Sequence, residues 1–264
     1  MKKTLVVGNW KMHLNVSQAS LLVQRLDKHI AVHRDIEVVL GPTMLALQPV
    51  SLEIDRRKFR LASQDANATD EGALTGEVSF AMLQGLVHYG IIGHSERRAH
   101  FNETSPMVRD KVQAAVRSRI MPIICVGETS LERHAGETKR VVHDQVVTAI
   151  SNLTGDEIAT AVIAYEPVWA IGSGQSATPE DASKVITYIR HIISGLYGEA
   201  VAQDVRILYG GSVVPESVPG LLSVGGIDGF LVGGASLNYK QFAGIVTASH
   251  AQNMARTHGS SSEK

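Results

Sequence analysis

The stretch "ATAVIAYEPVWAIGSGQSATPEDASKVITYIRHIISGL", residues 159–196, changes period along its length. It begins as a near-continuous apolar run that stops at a carboxylate, Glu166, and a proline, Pro167. A run that is apolar at nearly every position suits a parallel strand covered on both faces. A glycine-rich turn follows through Gly172, Ser173 and Gly174. Thr178 then offers an N-cap, Pro179 the first helical position and Asp181 the third residue after the cap. Ala182, Val185, Ile186, Ile189, Ile192, Ile193 and Leu196 fall on one stripe, which predicts a helix over 179–196. One strand is followed by one helix able to cover it.

Seven further runs have the same shape. They are "TLVVGNW" from Thr4, "IEVVLGP" from Ile36, "FRLASQD" from Phe59, "YGIIGHS" from Tyr89, "MPIICVGE" from Met121, "VRILYGGS" from Val205 and "GFLVGGAS" from Gly229. Helical periodicity recurs between them, over Ser17 to about Val32, 137–152 and 238–256. Eight alternations without a linker predict one α/β domain, a single (β/α)8 barrel over residues 1–255. An open doubly wound sheet would alternate too. Its dinucleotide fingerprint is missing, because "GNWKMH" after the first run has one glycine where three are needed. The polar stretch "RTHGSSSEK", residues 256–264, is expected to be a disordered tail.

The 264 residues are 44% hydrophobic and 19% charged, with a formal net charge of −1, an ordinary soluble composition. That balance gives no broad electrostatic case for nucleic acid or an anionic membrane. Arg97 and Arg98 are too short a basic run for a nucleic-acid patch and are expected to pair with acids such as Glu103 or to pack at a subunit contact. Cys125 is the only cysteine, so no intrachain disulfide forms, and a reducing compartment fits. Lys11 interrupts the N-terminal apolar run too early for a signal peptide. No apolar stretch reaches the roughly 18 residues that a membrane span requires.

In such barrels the C-terminal strand ends build the active site. The first run delivers Asn9 and Lys11, the fourth His94, Ser95 and Glu96, and the sixth Glu166. The last two deliver the turns Gly210–Ser212 and Gly233–Ser236. Each has a plain reading alone: a solvated lysine, a hydrogen-bonded structural histidine, an ion-paired glutamate, two tight turns. Their convergence on one rim points to chemistry, and glycine-rich turns after strands seven and eight are a recurrent phosphate site. Metal binding is not expected. His29 and His33 stand four apart on a predicted helix without a following general-base glutamate, and read as a surface pair. Cys125, inside an apolar run, reads as a packed small residue.

The segments "GNWKM" (8–12), "GALTGE" (72–77), "IIGHSERR" (91–98), "CVGE" (125–128), "AYEPVWAIGSG" (164–174), "YGGSV" (209–213) and "LVGGASL" (231–237) occur in this order. In these the chain resembles the triosephosphate isomerase family over nearly its whole length. The resemblance implies a TIM barrel, a cytoplasmic enzyme of glycolysis and gluconeogenesis, and cofactor-free interconversion of dihydroxyacetone phosphate and glyceraldehyde 3-phosphate through an enediolate. It implies that Glu166 moves the proton and that His94 polarises the carbonyl as a neutral imidazole, its pKa lowered by a helix N-terminus. Lys11 and Asn9 would stabilise the oxyanion. Gly172, Ser212, Gly233 and Gly234 match phosphate-gripping positions. Ser95, Glu96, Cys125 and Glu128 match positions that support the reacting groups, and Ile171 and Leu231 match residues that close over the base beneath a lid formed by the 164–174 loop.

The resemblance further implies a homodimer, with a tetramer open as in some thermophilic relatives. The loop Gln64–Glu77 would enter the neighbouring subunit and Thr75 would reach its active-site lysine. Three positions depart from the family's usual residues: His13 for an asparagine, Ser173 for a threonine and Gln175 for a lysine. Other readings remain: an aldose–ketose isomerase on a larger sugar, a lysine Schiff-base aldolase, or a barrel retained for binding. The aldolase needs an interior strand lysine; Lys11 sits just past the first run, and the other seven runs hold none. The presence of Asn9, Lys11, His94 and Glu166 together argues against a barrel kept for binding alone.

Overall fold

The computed structural model describes residues 2–170 and 177–259. Its strands are β1 (Thr4–Asn9), β2 (Ile36–Gly41), β3 (Phe59–Ser63), β4 (Tyr89–Ile92), β5 (Met121–Val126), β6 (Val162–Tyr165), β7 (Arg206–Tyr209) and β8 (Gly229–Val232). All pair in parallel and in chain order, and β8 returns to β1 to close the barrel.

Side chains alternate between two cores, which is why the runs are nearly continuous in apolar residues. Leu5, Val7, Val39, Ile91, Ile123, Cys125, Ala164, Leu208 and Leu231 fill the barrel interior. Val6, Val38, Leu40, Ile92, Ile124, Ile163 and Ile207 face outward, into the layer shared with the helices. Closure needs one glycine in particular. At Gly229, where φ is 148°, a Cβ would lie 2.0 Å from the Leu5 carbonyl oxygen. Only a residue without a side chain brings β8 against β1 there.

The helix Pro179–Tyr197 follows its stripe, burying Ala182, Ile186, Ile189, Ile192 and Ile193, and Thr178 Oγ1 accepts from the Asp181 amide at 3.1 Å. The first helix, Val16–His29, is capped by Asn15 and Gln18 and is shorter than its periodicity predicts. Ile30 is already extended, with φ −104° and ψ 119°, so the chain turns toward β2 and carries His33 off the helix. The expected His29–His33 pair does not form. His29 instead meets the Tyr239 ring edge-on at 4.6 Å. The last helix, Tyr239–Gly259, runs past Arg256, so residues 256–259 of the expected tail are helical. Thr257 Oγ1 donates to the Asn253 carbonyl at 3.0 Å on that final turn. Residues 260–264, the remainder of the expected tail, lie outside the described residues.

The N-terminal mouth of the barrel is plugged by three polar side chains. Arg206 Nη1 donates to Glu37 Oε2 at 2.7 Å and Arg206 Nη2 to the Tyr89 hydroxyl at 2.6 Å. The Tyr89 hydroxyl donates to Glu37 Oε1 at 3.0 Å. Burial raises the Tyr89 pKa, which keeps that phenolic hydrogen in place. Among the described residues no helix is long and apolar enough to cross a membrane.

Candidate active site

At the C-terminal rim, polar groups stand where the apolar runs stop. Asn9 is buried at the end of β1, and its Oδ1 accepts from the Lys11 amide at 3.0 Å. That contact curls the chain and leaves Lys11 at φ 52°, a left-handed conformation uncommon for a side-chain-bearing residue. Gln64 Nε2 holds the turn by donating to the Lys11 carbonyl at 2.8 Å and the Gly41 carbonyl at 2.9 Å. Lys11 Nζ then reaches Glu96 Oε1 at 2.5 Å. Burial acts against ionisation of Glu96, but the Lys11 bond and the neighbouring His94 prevail and its pKa is lowered.

His94 follows β4 and caps the short helix Ser95–His100. The Glu96 amide donates to His94 Nδ1 at 3.3 Å, which assigns the ring hydrogen to Nε2. Nε2 lies 2.9 Å from Glu166 Oε1, and Glu166 Oε2 accepts from the Ser95 amide at 2.9 Å. Glu166 is only 2% exposed. Burial disfavours a charged His94, but the Glu166 carboxylate beside it outweighs burial and raises the His94 pKa. The resemblance implied a lowered value; here the resting contact with Glu166 reverses the direction.

The backbone of Glu166 is seated tightly. Its amide donates to the Val126 carbonyl at 2.8 Å. A Cβ on Gly127 would lie 1.7 Å from the Glu166 carbonyl oxygen, so only glycine lets the two chains pass this closely. Gln145 brackets the Gly127 peptide, accepting from its amide at 2.8 Å and donating to its carbonyl at 3.2 Å. Cys125 lies inside the barrel with no exposure, and burial, reinforced by the Glu166 charge, pushes its thiol well above the ordinary value. It is not poised as a nucleophile.

Beyond Glu166 the chain makes a 3-10 turn, Val168–Ala170. Trp169 Nε1 donates to Glu128 Oε1 at 2.9 Å, and the Tyr165 hydroxyl donates to the same oxygen at 3.2 Å. Burial raises the Glu128 pKa. The Arg133 guanidinium stacks 4.0 Å from the Trp169 ring centre and also reaches Asp181 at 3.4 Å, on the far side of the undescribed segment.

These groups line a cleft of about 630 Å³. Asn9, Lys11, His94, Ser95, Glu96, Glu166 and Leu231 form one part of its wall, and Gly210–Ser212 with Gly233 and Gly234 the other. Gly233 and Gly234 open the 3-10 turn Gly234–Leu237, which buried Ser236 ties down through its bond to the Gly233 carbonyl at 2.6 Å. Glu128 stands beside the cleft with no exposure. Thr75 is exposed and does not line it. Ile171 and Gly172, with Ser173 and Gln175, lie outside the described residues. His13 is exposed, next to Leu14 at φ 72°.

Arg97 pairs with Asp65 at 2.9 Å and with Glu103 at 3.5 Å, as the sequence suggests. Arg98 instead donates to backbone carbonyls, Gly93 at 2.8 Å and Cys125 at 3.3 Å, bracing the strand ends that carry the site. Gln64, Gln145 and Arg133 escaped the reading of the residues. The glutamines act on backbone atoms, and Arg133 on side chains from distant segments, so no local motif marks them.

A closed eight-stranded barrel whose C-terminal rim turns a buried carboxylate, an imidazole and an ammonium toward a glycine-edged cleft is the architecture of a barrel enzyme working by acid–base chemistry on a small anion. The family model described as triosephosphate isomerase matches residues 4–249. A triosephosphate isomerase of Carboxydothermus hydrogenoformans is 44% identical over 250 residues, covering 94% of this chain and 100% of the relative. One from Citrifermentans bemidjiense is 44% identical over 248 residues, covering 93% and 98%. One from Thermoanaerobacter sp. is 45% identical over 247 residues, covering 93% and 99%. The chain belongs to the triosephosphate isomerase family.

Proposed function

We infer that this chain interconverts dihydroxyacetone phosphate and D-glyceraldehyde 3-phosphate, an isomerase step of glycolysis and gluconeogenesis. The observation that carries the reading is the meeting of Glu166, His94 and Lys11 in one cleft, with Glu166 Oε1 2.9 Å from His94 Nε2. Lys11 and the turns after β7 and β8 take the phosphate dianion. Glu166 leaves the Ser95 amide and removes a proton from C1 of dihydroxyacetone phosphate. The C–H electron pair becomes the C1–C2 double bond and the carbonyl pair moves to O2. His94 Nε2–H, the Lys11 ammonium and the Asn9 amide stabilise that oxygen. The O1 hydrogen passes to O2 through His94, and C2 recovers the proton from Glu166 as the C1 carbonyl forms. When Glu166 turns to substrate, the cause of the raised His94 pKa is removed, so the imidazole donates as a neutral ring.

The working form in this reading is a homodimer, and the cytoplasm is its compartment. Met12 is 93% exposed, Leu45 71%, Met82 67% and Phe101 63%, and all four come from segments that follow β1 to β4. The loop Gln64–Glu77 is tied at its base, where Asn67 Nδ2 donates to Glu77 Oε2 at 2.9 Å and Arg117 pairs with Asp70 at 2.7 Å. Its tip, with Thr75, is exposed and free to enter a second subunit. The single buried cysteine fits a reducing compartment.

A coupled assay on glyceraldehyde 3-phosphate tests the activity. Folded, pure protein that fails to turn over the triose would overturn it. Light scattering at sub-micromolar concentration tests the assembly, and an active monomer would defeat the dimer.

A further inference from the structure

At the end of the barrel opposite the cleft, His33, Asp35 and His250 come together. Asp35 directly precedes β2, and its carbonyl accepts from the amide of Thr4, the first residue of β1. His250 lies on the last helix. The His33 and His250 rings stack with centres 4.1 Å apart and planes tilted by 32°. His250 Nδ1 is 2.8 Å from Asp35 Oδ1. Asn253, one turn along the helix, donates to Asp35 Oδ2 at 2.9 Å and to Thr4 Oγ1 at 3.1 Å. All three residues are half-buried, within reach of an ion from solvent.

An ion pair between His250 and Asp35 accounts for part of this arrangement. It does not account for His33, which has no hydrogen-bond partner among the described residues. Burial, and the second imidazole facing it, lower the His33 pKa. A neutral imidazole, a second imidazole beside it and a carboxylate fixed from behind by an amide form a ligand set. One ligand atom from each of the three lies within 4.8 Å of the other two.

We propose that His33, Asp35 and His250 bind one divalent transition-metal ion of the zinc type, with water completing its coordination. A tetrahedral ion with ligands at about 2.0–2.1 Å holds them about 3.3 Å apart. The ion replaces the hydrogen between His250 Nδ1 and Asp35 Oδ1, opening that 2.8 Å contact by roughly half an ångström. Ring rotation brings a His33 nitrogen in. Asn253 stays on the other carboxylate oxygen and orients it. Two imidazoles and one carboxylate favour zinc, nickel or copper over magnesium or calcium. The bound ion ties the last helix to the beginnings of β1 and β2. Its effect is on stability, since the C-terminal rim that carries the chemistry is at the other end.

The test uses the full chain, stripped with chelator and dialysed, then titrated with ZnCl2 by calorimetry and with CoCl2 by visible absorption. The expected result is one equivalent bound with Kd on the order of micromolar. Four-coordinate Co2+ bands should appear, and Tm should rise with Zn2+ but not with Mg2+. His33→Ala should weaken Zn2+ binding by at least about tenfold, remove the Co2+ bands and leave the isomerase rate unchanged. His33 caps no helix and makes no hydrogen bond among the described residues, so this variant is expected to fold. Asp35→Asn gives a second reading. No saturable binding at about 100 μM Zn2+ overturns the proposal. So does equal affinity in His33→Ala, which would assign the ion to other surface histidines.

Discussion

Gly127→Ala tests the claim that the position of Glu166 is set by how closely two chains pass beneath it. The added Cβ would stand 1.7 Å from the Glu166 carbonyl oxygen. A relaxed carbon–oxygen contact is about 3.3 Å, so roughly 1.6 Å must be found. The Gly127 side cannot give it easily, because Gln145 holds that peptide at both its amide and its carbonyl. The displacement therefore falls on Glu166, whose N–H hydrogen bond to the Val126 carbonyl at 2.8 Å is stretched or lost. A reacting group misplaced by about 1 Å costs on the order of 100-fold in rate, or about 2.7 kcal/mol in the barrier. Overpacking costs a further 1–3 kcal/mol or so of stability, a fall in Tm of about 2–10 °C. KM should change much less, since the glycine turns after β7 and β8 are untouched. The coupled assay and a melting curve read the two effects separately. A kcat within about fivefold of wild type, with Tm unmoved, would refute the reasoning. Adding Gln145→Ala frees the Gly127 peptide and should recover part of the lost rate.

Glu166→Asp draws the carboxylate back by one methylene and should lower kcat by about 10²–10³ with a much smaller change in KM; steady-state kinetics decide it, and near-normal kcat would remove Glu166 from the role of base. Cys125 should resist iodoacetamide at pH 8 in the folded protein and react once the chain is unfolded, because the thiol is fully buried and its pKa raised; mass spectrometry of native protein showing a full equivalent within minutes would contradict this. Arg206→Ala leaves Glu37 without its cation at the barrel mouth and should cost about 2–4 kcal/mol in denaturant unfolding while kcat stays near normal; a large loss of kcat with unchanged stability would link the plug to the chemistry.

The barrel was legible because both faces of its strands are covered, which writes each strand as a nearly continuous apolar run. Leu5 and Val7 face inward and Val6 outward, yet all three are wholly buried, so no alternation could mislead. Helix ends were less legible. The periodicity of the first helix continues past His29, while the chain turns at Ile30 to enter β2, a tertiary demand that overrides local preference. At the rim, Asn9, Lys11, His94 and Glu166 announced themselves by ending apolar runs. The direction of the His94 pKa did not, because it depends on where the Glu166 side chain rests. The grouping of His33 and His250 was invisible for another reason: ligand spacing is read locally, and these two meet only when the last helix docks beside the start of β2.

Arg133 touches Trp169 on one side of the undescribed segment and Asp181 on the other. Anyone transplanting the stretch after β6 from a relative therefore inherits a dependency on the stretch after β5. A graft that imports a tryptophan but leaves a host lacking Glu128 and Arg133 strands its indole N–H and removes the guanidinium shared by both ends. Neighbouring loops on this rim are thus not interchangeable parts. The smallest portable unit is the pair, residues 127–134 together with 166–181, and recombination between homologues should tolerate a junction before β5 or after the capped start at Thr178–Asp181 better than one between β5 and β6.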